Sequence, residues 1–199
     1  MARRIATRQK RKQNPIVIGA GLTERWYFTH LQSKYNLRLK IRPRFFGHED
    51  IISLTKRIES VLADEGVAIV VFDADVSTWN DVEKARLSDL KRNYSKNKDV
   101  IICDSLPSIE YWFLLHYANT NKYYGTSERV IQDLRKHITN FDKTEAFLSK
   151  QKWVDGLCTD GQLITACNRA VAFAEDGESY SNVWKAMLYV DLYKKEAGK

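Results

Sequence analysis

Ile16-Val17-Ile18-Gly19-Ala20-Gly21-Leu22-Thr23-Glu24 is an apolar run that stops at two glycines and passes into a helical pattern. A second run, Ala68-Ile69-Val70-Val71-Phe72-Asp73-Ala74-Asp75, stops as abruptly at two carboxylates. Apolar runs of this kind belong to strands buried on both faces, as in a parallel sheet, which deliver functional loops from their carboxyl ends. Gly19 and Gly21 allow a tight turn, and Thr23 is placed to cap the helix that follows. Glu24 falls in the first turn, where the helix dipole favours an anion. Asp73 and Asp75 are two residues apart, which in extended chain puts both carboxylates on one side. Glu24, Asp73 and Asp75 together form a hard-oxygen set suited to Mg²⁺ or Mn²⁺.

The sequence around these runs alternates strand and helix. Tyr27, Phe28, Leu31 and Tyr35 recur at helical spacing and read as core. Leu37-Arg38-Leu39-Lys40-Ile41-Arg42 alternates apolar and basic, the pattern of a half-exposed strand, with Pro43 at its end. Its outward Arg38, Lys40 and Arg42 serve as a charged edge that discourages strand-to-strand aggregation. His48-Glu49-Asp50 opens a helix that turns Ile51, Ile58, Val61 and Leu62 inward, and acidic residues in a first turn favour the dipole rather than mark a metal. Gly66 ends that helix, and Val67 to Phe72 form the central strand. The polar segment from Val76 to Lys98 reads as an exposed helix with a thin stripe of Trp79, Val82 and Leu90. Val100-Ile101-Ile102-Cys103 is the last strand. The expected fold class is α/β, with a mainly parallel sheet of about four strands flanked by helices.

From Pro107 the pattern is helical, with Pro107 suited to a first turn. Glu110 shares that turn with Ser108 and either completes the acidic site or favours the dipole. His116 reads as packed or capping. Helical spacing recurs at Val130, Ile131, Leu134 and Ile138, at Leu163, Ala166, Ala170 and Phe173, and at Val183, Met187 and Val190. By spacing alone Lys143 is a surface lysine in a loop. The organisation expected is a basic arm over 1–14, an α/β core over 15–105 and a helical part over 106–199 packed on it.

Lysines and arginines number 32 against 25 acidic residues, a net charge of +7, which favours a polyanionic partner. Arg3, Arg4, Arg8, Lys10, Arg11 and Lys12 crowd the first residues, as in an arm that follows a phosphate backbone or meets an acidic partner. Cys103, Cys158 and Cys167 have no metal-site spacing, and Cys103 reads as a buried thiol. No apolar run approaches transmembrane length and no hydrophobic signal core is present, so a cytoplasmic chain with no membrane contact is expected.

The apolar run, turn and Thr-Glu, followed by Asp-x-Asp after a second strand, resemble the Toprim domain of topoisomerases, primases and OLD-type nucleases. The chain more closely resembles the RloB-like proteins of bacterial defence loci. Their first motif, Gly-Glu-Gly-x-Thr-Glu-x-x-Tyr-Phe, is similar to Gly19-Ala20-Gly21-Leu22-Thr23-Glu24-Arg25-Trp26-Tyr27-Phe28. Pro107-Ser108-Ile109-Glu110-Tyr111-Trp112-Phe113-Leu114-Leu115-His116 resembles their Pro-Ser-Phe-Glu-x-Trp-x-Leu-Leu-His. Phe141-Asp142-Lys143 resembles an aromatic-x-Lys motif, and Asn168-Arg169-Ala170 also resembles the family pattern, with Arg169 a candidate phosphate contact.

The resemblance implies a Toprim-like fold and a metal-dependent endonuclease that acts on RNA, tRNA among them, or DNA. It also implies a neighbouring ABC- or AAA-type ATPase as partner. Glu24, Asp73 and Asp75 would hold Mg²⁺ or Mn²⁺, Glu110 would complete the site, and Lys143 would neutralise charge on the scissile phosphate. One position departs: the family's first glutamate falls on Ala20. With every other motif residue intact, this reads as a single glutamate-to-alanine inactivation. The alternative is a non-catalytic nucleic-acid- or ATPase-binding subunit of degenerate Toprim shape. A Rossmann-type nucleotide binder fails, because Gly19-x-Gly21 lacks the third glycine and an acidic ribose ligand. A primase or topoisomerase would need further domains.

Overall fold

The two apolar runs lie side by side as neighbouring parallel strands. The computed structural model describes residues 14–19, 21–42, 50–75, 80–173 and 178–192. The basic arm up to residue 13, Ala20, Pro43, His48, Glu49 and Trp79 lie outside the described residues.

The first half runs β1 (Ile16–Ile18), α1 (Leu22–Tyr35), β2 (Lys40–Ile41), α2 (Ile51–Ala63), β3 (Ala68–Asp73), α3 (Asp81–Tyr94) and β4 (Val100–Leu106). After it come α4 (Ile109–Tyr117), α5 (Ser127–Leu134), α6 (Glu145–Leu148), α7 (Lys152–Leu157), α8 (Gln162–Ala172), β5 (Tyr180–Ser181) and α9 (Val183–Tyr189). The sheet order is β2-β1-β3-β4-β5. The first four strands pair in parallel, and β5 pairs antiparallel with the end of β4. β3 is therefore central, as its unbroken apolar run requires. The sheet has five strands rather than about four, because a two-residue strand leaves no periodic trace in sequence. The short helices α6 and α7 escaped notice for the same reason.

Alternation along β3 divides the core. Ile69 and Val71 face a large cluster with Tyr27, Phe28, Leu31 and the C-terminal helices, while Ala68, Val70 and Phe72 face α2 and α3. The large cluster joins α1 to α4, where the Trp112 indole N–H donates to the Tyr27 hydroxyl at 2.8 Å. On α3, Leu87 and Leu90 carry the burial, whereas Val82 is exposed, so the apolar stripe begins one turn later than its sequence suggests.

Three local expectations are corrected. Gly21, not Thr23, stands at the N-cap of α1 without a side-chain cap, and Thr23 is already inside the helix, buried. Pro107 precedes α4, whose N-cap is Ser108, and its bond to Leu106 is cis. The edge strand keeps its alternation, with Leu37 and Leu39 buried and Arg38, Lys40 and Arg42 exposed, but only Lys40–Ile41 pairs. Asp50 caps α2 by accepting from the Ser53 N–H at 2.7 Å. Among the described residues no helix is long and apolar enough to cross a membrane.

Candidate functional site

The site begins with Gly19. Its φ is +78°, and a Cβ there would stand 2.6 Å from the Val71 carbonyl oxygen, so only glycine lets β1 turn this tightly against β3. The turn launches α1 at the carboxyl edge of the sheet and brings Glu24, 4% exposed, into the protein beside the end of β3.

Asp73 is the last residue of β3. It lies on the same face as Ile69 and Val71, toward α1 and α4. Its Oδ1 accepts the Ile109 N–H at 3.0 Å, one of the donors left open at the start of α4. Glu110 follows in the same turn, wholly buried. The Ser108 hydroxyl donates to Glu110 Oε2 at 2.5 Å, and Lys143 Nζ stands 3.0 Å from Glu110 Oε1.

The electrostatics join these groups. Burial raises the Asp73 carboxyl well above the usual range, and the charges of Glu24 and Glu110 raise it further against the opposing pull of Lys143. Burial alone would lower the Lys143 ammonium, but Glu110 outweighs it, with Asp73 and Glu24 behind, and the net shift is upward. Four side chains from α1, β3, α4 and the loop after α5 thus share one electrostatic neighbourhood. Three are carboxyls and one is an ammonium.

Asp75 lies two residues beyond the end of β3, half-buried. Glu24 and then Glu110 supply carboxylate charge that raises Asp73. Ser108, placed beside Glu110 by the sequence but given no role there, fixes the Glu110 carboxylate. A serine two residues before a first-turn glutamate was the available signal. Arg169, a candidate phosphate contact by resemblance, is half-buried and donates from Nη1 to the Leu115 carbonyl at 2.7 Å near the end of α4. His116 is packed, as expected: it is buried against Trp112, and burial lowers its pKa to about 4.

Oxygen donors in a net-negative, largely buried site suit a hard divalent cation. Glu110 Oε1 is buried and faces no donor but Lys143, so its lone pairs are suited to a cation. Among the described residues no three acidic, histidine or cysteine side chains form a ready-made metal cage, so the fit is one of charge and donor chemistry.

Neither a curated protein nor a solved structure matches the chain. A family model described as RloB-like protein matches residues 15–188, which takes in Glu24, Asp73, Asp75, Glu110 and Lys143, and the chain belongs to the RloB-like family.

Proposed function

We propose that this chain carries the site of a Toprim-type, metal-dependent nuclease that hydrolyses phosphodiesters in RNA or DNA. In this reading it is the effector of an antiphage defence system and works with an ABC- or AAA-type ATPase. The observation that carries the reading is the meeting of Glu24, Asp73, Glu110 and Lys143 from four separate elements at the carboxyl edge of the sheet.

Glu24, Asp73 and Asp75, with Glu110 beside them, would hold Mg²⁺ or Mn²⁺. A divalent cation bound there would polarise the phosphodiester and lower the pKa of an attacking water. The chain's own groups do the rest. Asp73, with its raised pKa, holds a proton more readily than an ordinary carboxyl, so its oxygens would become available to a cation as the pH rises. Ser108 holds the Glu110 carboxylate in one orientation. Lys143, partly exposed, can reach an incoming phosphate while Glu110 anchors it, and would neutralise the charge that grows on the phosphoryl oxygens. The net charge of +7 lets a polyanion approach this acidic edge, so nucleic-acid binding should weaken steeply as salt rises.

Ala20 stands where the family pattern has its first glutamate, and alanine offers no oxygen. Losing about 3 kcal/mol of transition-state stabilisation slows a reaction by roughly two orders of magnitude. The chain as it stands is therefore expected to cut poorly or not at all. Ala20→Glu should restore cleavage of RNA or DNA pools in Mg²⁺ or Mn²⁺, and Asp73→Ala in that background should abolish it. The same alanine favours a second reading, a non-catalytic subunit that binds nucleic acid or the ATPase. That reading stands if the Ala20→Glu protein binds metal and cuts nothing, alone or with its ATPase.

A further inference from the structure

The opposite edge of the sheet carries an independent feature. The Ala68 N–H donates to the Asp99 carbonyl at 2.8 Å and the Ala74 N–H to the Ser105 carbonyl at 2.7 Å, so odd-numbered residues of β4 turn their main chain to β3. Alternation turns Val100, Ile102 and Asp104 to the outer edge. There the Asp104 carbonyl accepts the Asn182 N–H at 2.8 Å, and β5 pairs with Ser105 and Leu106 only. At Asn182 the chain leaves the edge and enters α9. Among the described residues, the Val100–Cys103 stretch of β4 has no strand on that side.

This open edge is the floor of a cavity of about 630 Å³. Lys91, Tyr94 and Lys98 wall it from the α3 side, and Trp184, Lys185 and Tyr189 from the α9 side. Its floor is one strand wide, because the sheet layer is sandwiched between two helix layers. Three lysines line it against one carboxylate, Asp104, which already lies 2.5 Å from Lys91 Nζ.

We propose that this slot binds an extended acidic segment of a partner protein, which adds to β4 as a further strand. Main-chain groups of the segment would meet the N–H and carbonyl of Ile102 and the carbonyl of Val100, whose own N–H already donates to the Asn97 carbonyl at 3.3 Å. Acidic side chains at neighbouring positions, which point to opposite faces, would reach Lys98 on one wall and Lys185 on the other. A phosphate backbone fits less well. Phosphates only accept, so the outward carbonyls of Val100 and Ile102 would gain no donor.

The test is a selection of random segments of about twelve residues displayed against the full chain, with a Lys98→Glu/Lys185→Glu chain as counter-target. Segments with Asp or Glu at adjacent positions, flanked by β-branched residues, should be enriched. The enriched peptide should slow hydrogen exchange at the Ile102 amide. Charge reversal of the two lysines should weaken it roughly tenfold or more, and a peptide with lysines in place of its acids should recover binding to the reversed chain. Methylation of alternate peptide nitrogens should abolish binding, which needs no substitution in the strand itself. The proposal is overturned if no segment is enriched over the counter-target, in which case the lysines only guard the edge against strand pairing. It is equally overturned if the methylated peptide binds as well, or if oligouridylate protects the Ile102 amide and the peptide does not.

Discussion

Asp73 and Asp104 sit on neighbouring strands, with Phe72 opposite Asp104 and Asp73 opposite Ser105, yet they live under different rules. Asp104, on the face toward α3, is wholly buried and fully answered. Tyr180 and Asn182 each donate to it at 2.8 Å, and Lys91 supplies a counter-charge. Asp73, on the other face, has one backbone donor and keeps company with two more carboxylates. A buried charge with its partners in place holds a fold together; one surrounded by like charge is maintained at a cost and is where function is expected. The contrast separates a strut from a site within one sheet.

Removing the strut should give the largest effect. Asp104→Ala strands the Lys91 ammonium, the Tyr180 hydroxyl and the Asn182 amide, and unties β5 from β4. The loss should be about 3 kcal/mol, or roughly 6–12 °C in the thermal midpoint of a chain this long. Calorimetry or denaturant titration measures it. A loss no greater than that of Asp73→Ala would erase the distinction between the two carboxylates.

The second effect tests the ion pair that joins the loop after α5 to α4. Lys143→Met leaves Glu110 buried without its counter-charge. The loss should be about 1–2 kcal/mol, reduced by the solvent around the half-exposed ammonium. Glu110→Gln in that background should recover most of it, because the two changes report one interaction. Additive losses would mean that Lys143 and Glu110 act separately and that the site is less of a unit than its geometry suggests.

Much of this was legible in the residues. The apolar runs at Ile16 and Ala68 specify buried parallel strands through hydrophobicity alone, and Glu24 and Asp73 were placed by their position at strand ends. What sequence could not show was long-range partnership. Lys143 lies 33 positions from Glu110 in a loop without periodicity, so only the family resemblance raised it above a surface lysine. The structure then places it 3.0 Å from Glu110. Asp104 hid in a strand whose reading stopped at Cys103, because its partners Tyr180 and Asn182 belong to a two-residue strand with no pattern of its own. Arg169 was singled out by the resemblance of Asn168-Arg169-Ala170 to the family pattern, while its bond to the Leu115 carbonyl at the end of α4 is one that no side-chain pattern encodes.

The smallest effect is the dependence of stability on pH at Asp73. Burial first, then Glu24 and Glu110, raise its carboxyl above the unfolded value, so the folded chain holds that proton more tightly than the unfolded one. The stability linked to the proton is complete below the unfolded pKa of about 3.9 and is lost as pH rises through the raised folded value. Asp73→Asn keeps an oxygen to accept the Ile109 N–H and has no charge to gain. With a chelator present, the variant should therefore gain on the parent chain as pH climbs from about 4, by on the order of 2–4 °C in midpoint. Mn²⁺ added at neutral pH should narrow the gap by stabilising the parent chain alone, since a ligand that binds only the folded state shifts unfolding by mass action. Asp104→Asn, which loses the ion pair with Lys91, should be less stable than the parent and indifferent to Mn²⁺. A gap at Asp73 that stays flat with pH would show that its proton is held alike in folded and unfolded chains. The difference between the two aspartates would then lie in packing rather than in charge.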